Sequence, residues 1–301
     1  MSRISPVLLG TLVTLAGGTF AAAQDATPTP PKVIEIVREW VKPGKGGSAH
    51  DKSEAAYVAA SNRAKLQGHY VALNSVSGKS RALYIYRFPS YEVMEKDSHA
   101  VDKNPGLTAE FDRASSADGE LLEGVDTAIL TYDEDLSYHP RPDLSHARYY
   151  QLTAFHVKPG HVGDWLEIVK MYKAACDKMN RGDHWAGYDL RYGGEGGTYL
   201  SLTHLDSLAE VDKMMVGEDQ AFVEAIGGPE GIRKFEELLR ETIDSQHTEL
   251  FSINPKQSYP EEAWVKGDPD FWKPKKAAAD TAAAKPAAAK PAAAPAKPGG
   301  N

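Results

Sequence analysis

The chain of 301 residues carries one cysteine, Cys176, so no internal disulfide can hold it together and its fold must rest on a hydrophobic core. Cys176 stands at helical spacing from Trp165, Val169 and Tyr172, which predicts a buried thiol rather than a nucleophile. Beyond the first residues, no run approaches the roughly 20 apolar residues that a membrane span requires. A basic balance is also missing. The formal charge is −8, which argues against nucleic acid as the partner of the folded part. Ten histidines are present, yet none stands in an H-x-H or H-E-x-x-H spacing or in a Cys/His cluster, so the spacing points to no metal and no cofactor. The glycine run Gly193 to Gly197 is followed by a strand pattern rather than a helix, which makes it a hairpin and not a phosphate cradle.

The two ends differ from the middle. Arg3, an apolar run from Ile4 to Phe20 and the small residues Ala21 to Ala23 read as a cleavable secretory signal, residues 1–23, and predict an exported protein, periplasmic or secreted. Residues 24–32 then read as a linker. At the other end, residues 273–301 repeat Ala-Ala-Ala-Lys-Pro and hold six lysines against Asp280. With no apolar surface to bury, such a tail is expected to be an extended spacer, with weak contact to an anionic envelope surface as its functional alternative.

Between these ends the sequence repeats itself. Val41-Lys42-Pro43-Gly44 returns as Val157-Lys158-Pro159-Gly160, each time closing a strand-like run. A helical stretch follows each copy, then two strands around a glycine turn: His69 to Val76 with Arg81 to Phe88, and His184 to Tyr192 with Thr198 to Leu205. Helices then begin at Ser90 and Ser207, and final strands run Val125 to Tyr132 and Gln246 to Ile253. The order β-α-β-β-α-β therefore occurs twice, in residues 33–144 and 145–256, which predicts an α+β protein of two ferredoxin-like units. A sheet with helices on one face must bury the other, and two copies in one chain can close on each other as an intramolecular α/β barrel. Residues 257–272, with Trp264, Phe271 and Trp272, read as an arm that docks on the same chain.

Because Leu83 and Ile85 match Leu200 and Leu202, aliphatic in both copies, these residues are assigned to the helix side of their strands. The alternate residues then face the shared interior. Glu35 and Glu39 become candidate general acids or bases, since a carboxylate buried beside aromatic rings has a raised pKa. Their structural alternative is an ion pair with Arg38 or Arg87. Tyr84, Tyr86, Gln151, Thr153, Phe155, Ser201 and Thr203 are the expected ligand-binding wall, with the tyrosines alternatively filling the barrel.

The string from Tyr149 to Gly160 resembles the opening of NIPSNAP-type domains, and Tyr84-Ile85-Tyr86-Arg87-Phe88-Pro89-Ser90 resembles their third strand entering a serine-started helix. The resemblance implies the dimeric α/β-barrel superfamily, alongside antibiotic-biosynthesis-type monooxygenases and EthD-like proteins. That family pattern often places an acidic residue at Glu35 and Gln151, and an arginine at Val37 and Thr153, so its charged pair is incomplete in both copies. The function expected from these readings is binding of a small apolar or aromatic molecule, with cofactor-free oxidation or isomerisation as its catalytic form. A non-catalytic envelope protein with a solid barrel and a haem-binding protein are the alternatives.

Overall fold

The computed structural model describes residues 29–215 and 218–273. The expected signal segment and the lysine-rich tail after Lys273 lie outside the described residues. Among those described, no helix is long and apolar enough to cross a membrane.

The first repeat runs β1 (Val33–Val41), α1 (Ser48–Ala64), β2 (His69–Ser75), β3 (Arg81–Phe88), α2 (Tyr91–Asp102), α3 (Pro105–Gly119) and β4 (Leu122–Tyr138). The second runs β5 (Tyr149–Val157), α4 (Val162–Met179), β6 (Trp185–Tyr192), β7 (Thr198–Leu205), α5 (Ala209–Met215), α6 (Glu218–Ile226), α7 (Gly228–Thr242) and β8 (Ile243–Ile253). The short helices α8 (Glu262–Gly267) and α9 (Pro269–Trp272) follow. Within each repeat the strands pair antiparallel, and the eight close in the order β1-β3-β2-β8-β5-β7-β6-β4. Two seams join the halves: β2 with β8, where Leu73 stands opposite Ile253, and β4 with β6. The two ferredoxin-like units predicted from the repeat thus form one closed barrel.

Local signals place these elements. Ser90 and Asn104 accept hydrogen bonds from Val93 N and Leu107 N, capping α2 and α3, and Pro105 starts α3 where its missing N–H costs nothing. β4 runs six residues past its expected end at Tyr132, and its pairing with β6 is interrupted between Asp133 and Tyr138. This bulge drops Leu136 over Gly187, where an added Cβ would stand 2.5 Å from Leu136 Cβ and 2.7 Å from its carbonyl oxygen. Gly187→Ala is therefore expected to destabilise the fold by about 1–3 kcal/mol in chemical denaturation, the usual cost of overpacking.

The interior of the barrel is filled. Ile34, Ile36, Val71, Leu73, Leu83, Ile85, Leu130, Leu152, Leu202 and Phe251 point inward from seven strands, and Tyr188 does so from β6. Eight strands enclose a space just wide enough for side chains to fill, and branched aliphatics fill it best. One end is sealed by the arm: Trp264 and Trp272 are 1% and 2% exposed, and Trp272 Nε1 donates to Ser145 O at 2.9 Å.

This corrects the assignment of faces. Leu83, Ile85, Leu200 and Leu202 face the barrel interior, whereas Tyr84 and Tyr86 face the helix layer with Val58 and Leu66. The aliphatic residues shared by both copies are those that pack against one another across the interior, where both halves meet the same demand. The expected ligand space inside the barrel does not exist; open space lies under a helix layer instead.

Candidate functional site

On the second repeat, a cavity of about 690 Å³ separates the sheet from its helices. β5 turns Tyr150 and Leu152 to the barrel and Gln151, Thr153 and Phe155 to the cavity, and β7 presents Tyr199, Ser201 and Thr203 beside them. The opposite wall comes from α4, whose stripe Trp165, Ile168, Val169 and Tyr172 recurs at helical spacing, and from Phe235 and Leu239 of α7. Trp165 packs against Phe155 and Tyr199 with ring centroids at 4.8 and 5.7 Å, and Tyr172 against Trp185 at 5.6 Å. The floor is polar: Thr153 and Thr248 hydroxyls meet at 3.0 Å. Trp165 is 5% exposed, and its Nε1 has no hydrogen-bond partner, so the wall holds a buried donor that lacks an acceptor.

Two cavity-lining positions are much smaller than their counterparts in the first repeat. In the first repeat, the corresponding layer under the helices holds Tyr84 and Tyr86 where the second has Ser201 and Thr203. Tyr70, Tyr84 and Tyr86 pack there, with the Tyr70 centroid 4.5 Å from that of Tyr86 and 6.0 Å from that of Tyr84.

That first layer instead encloses four ionisable side chains. Glu39 comes from the end of β1, His50 and Glu54 from one face of α1, and Asp118 from the last turn of α3; all are at most 7% exposed. His50 Nε2 lies 3.1 Å from Glu39 Oε2 and 3.5 Å from Asp118 Oδ1. Ser53 Oγ donates to Asp118 at 2.6 Å. Burial, reinforced by the charges of Glu39 and Asp118, pushes the Glu54 carboxyl up to about 9, and burial also raises Glu39. Glu35 lies on the same side of β1, its carboxyl likewise raised by burial.

The expected site residues therefore separate into two places. Gln151, Thr153, Phe155, Ser201 and Thr203 line one cavity, as expected, but under helices rather than inside the barrel. Glu35, Glu39, Tyr84 and Tyr86 belong to the other layer and none of them lines that cavity. The expected arginine partners are engaged elsewhere, Arg38 with Asp126 and Arg87 with Glu261 at 3.0 Å. Cys176 is buried as predicted, its thiol pushed up to about 12 by desolvation.

No family model matches the chain, and no curated protein matches it in sequence. Several solved structures resemble it at a distance. A candidate monooxygenase from Fusobacterium nucleatum is 12% identical with a TM-score of 0.49, over 74% of this chain and 93% of that one. An anthrone oxidase-like protein is 13% identical with a TM-score of 0.48, over 77% and 95%. Chlorite dismutase from Candidatus Nitrospira defluvii, in complex with imidazole, is 8% identical with a TM-score of 0.45, over 79% and 96%. Likeness this distant says nothing about chemistry.

A haem in the cavity would need an axial ligand. His184 is the histidine on its wall, and both ring nitrogens are set against backbone carbonyls, Nε2 at 2.9 Å from His204 O and Nδ1 at 3.4 Å from Gly182 O. The residues present do not offer an imidazole to an iron. His50, Glu54, Asp118, Trp165 and Tyr172 were absent from the expected site residues. His50 and Glu54 do carry a signal, being four residues apart on one helix, but Asp118 is 64 residues from Glu54 and only the fold brings it in.

Proposed function

We propose that this chain is an exported barrel protein that binds one small, flat, largely aromatic molecule between the sheet and helices of its second repeat. The observation that carries this reading is the aromatic-walled cavity with a polar floor and an unanswered indole N–H at Trp165. Its volume is within the range of about 300–1,000 Å³ usual for small-molecule sites, and its few polar groups suit orientation of a mostly apolar ligand. A ligand with one acceptor oxygen or nitrogen would satisfy Trp165 Nε1, while Gln151, Thr153 and Ser201 supply further hydrogen bonds. Kinship with NIPSNAP-type domains, on the strand strings ending at Gly160 and Ser90, belongs to the same proposal. Cofactor-free oxidation or isomerisation through Glu35 or Glu39 is not supported, because neither carboxyl reaches this cavity.

Native mass spectrometry of the protein from its own host tests the reading. We expect a retained small molecule in the parent chain and its loss in Ser201→Phe, which refills the space a tyrosine occupies in the first repeat. Equal retention by both proteins would place the ligand elsewhere. A parent chain that carries nothing, and whose Trp165 and Trp185 fluorescence no aromatic probe quenches, would overturn the proposal.

A further inference from the structure

We propose that Glu39, His50, Glu54 and Asp118 bind one divalent first-row transition-metal ion of the Zn²⁺ or Mn²⁺ class. One donor atom from each lies within 4.8 Å of the others, and the four come from three separate elements, β1, α1 and α3. Three carboxylates and one imidazole make a donor set suited to such ions, with imidazole favouring a transition metal over Ca²⁺ or Mg²⁺. This site is independent of the cavity in the second repeat.

Three observations point to a cation rather than to a self-satisfied polar cluster. First, the charges do not balance from within. Three buried carboxyls face one imidazole, and no lysine or arginine pairs with any of them among the described residues. Without a cation, such a group must take up protons in order to be buried. Second, the buried polar atoms are incompletely satisfied from within: Glu54 Oε1 and the hydroxyl of Tyr84, a residue 3% exposed, make no well-formed hydrogen bond, although that hydroxyl is set against the Glu54 and Glu39 carboxyls. Third, the histidine has the outer support that metal-bound imidazoles use. Gln257, from the segment after β8, places its side-chain amide 3.3 Å from His50 Nδ1, and its Oε1 is buried and unpaired. Turning that amide over brings Oε1 onto Nδ1–H, which satisfies the oxygen and leaves the Nε2 lone pair facing the carboxylates.

The full chain, purified without chelators, is dialysed against Zn²⁺ or Mn²⁺ and its metal content measured. We expect close to one ion per chain, a rise in thermal midpoint on metal addition, and loss of the ion in Glu54→Gln. Gln257→Leu, which removes only the outer support, is expected to weaken binding by about 10–100-fold. Should Glu54→Gln fold poorly, the parent loaded with Co²⁺ decides: visible ligand-field bands of a protein-held ion are expected. Less than a tenth of an equivalent of metal, equal metal in parent and Glu54→Gln, or a Co²⁺ spectrum of the hydrated ion would overturn the proposal and leave the group neutralised by protons.

Discussion

Replacing Trp264 with alanine is expected to destabilise the protein by about 3–5 kcal/mol, the cost of emptying a buried aromatic position. The indole is 1% exposed at the end of the barrel, with the Trp272 ring 5.3 Å away and the Arg87 guanidinium 5.0 Å from its centroid. It is held by a short arm, and the arm is pinned on both sides of it: Glu261 pairs with Arg87 at 3.0 Å, and Asp268 pairs with Arg148 while capping α9 through Phe271 N. Arg148 in turn lies 3.8 Å from the centre of the Phe271 ring. Removing the indole leaves a cavity against Tyr150, Tyr188 and the inward aliphatics, which cannot collapse because eight strands fix their positions. Urea denaturation should show a lower midpoint with an unchanged slope. A loss below about 1 kcal/mol would mean that the arm is a surface appendage rather than the closure of the core.

Acidification is expected to remove about 3 kcal/mol of stability, and His204 is the residue to which we assign it. Its ring is 8% exposed, and Nε2–H donates to Arg141 O at 2.7 Å. Nδ1 is buried with no partner, so a second proton would point at nothing that accepts it. Desolvation lowers its pKa to about 4, helped by His184 and the Arg141 charge against the opposing effects of the Arg141 carbonyl and Asp206. His184 is lowered as well, by burial first and then by Arg141, with its backbone hydrogen bonds and Glu210 opposing. Because the folded pKa of His204 is below its ordinary value of 6.5, the unfolded chain takes the proton first as pH falls. The stabilisation is complete above about pH 6.5 and is lost on descending towards pH 4, at roughly 1.4 kcal/mol for each pH unit crossed. The check is the difference in unfolding free energy between pH 7 and pH 4.5 in the parent and in His204→Gln. A smaller pH slope in the variant is expected. Identical slopes would assign the acid sensitivity to other groups.

Both predictions rest on features of different legibility. The helix stripe of α4 was readable because its period is 3.6 and its residues are apolar, and Trp165, Val169 and Cys176 are buried where that stripe places them. The buried face of α1 carries His50, Glu54 and Ser61, which no hydrophobic period can reveal. A polar stripe turned inward looks in sequence like a solvated one. The tyrosines of β3 show the converse error, since alternation on a strand separates two faces without saying which of them meets the helices.

The order of elements, the duplication, the closed barrel and the membership of each strand's two faces follow from local pattern and from the need of an uncovered sheet to be buried. These are properties of short segments, and short segments are what a sequence displays. The direction of those faces, the filled interior, the seal made by Trp264 and Trp272, the cavity lined by Ser201 and Thr203, and the meeting of Glu39, His50, Glu54 and Asp118 depend on contacts between residues far apart in the chain. Such contacts are set by how the two sheets share one interior volume, a constraint that belongs to the closed barrel as a whole and to no segment of it.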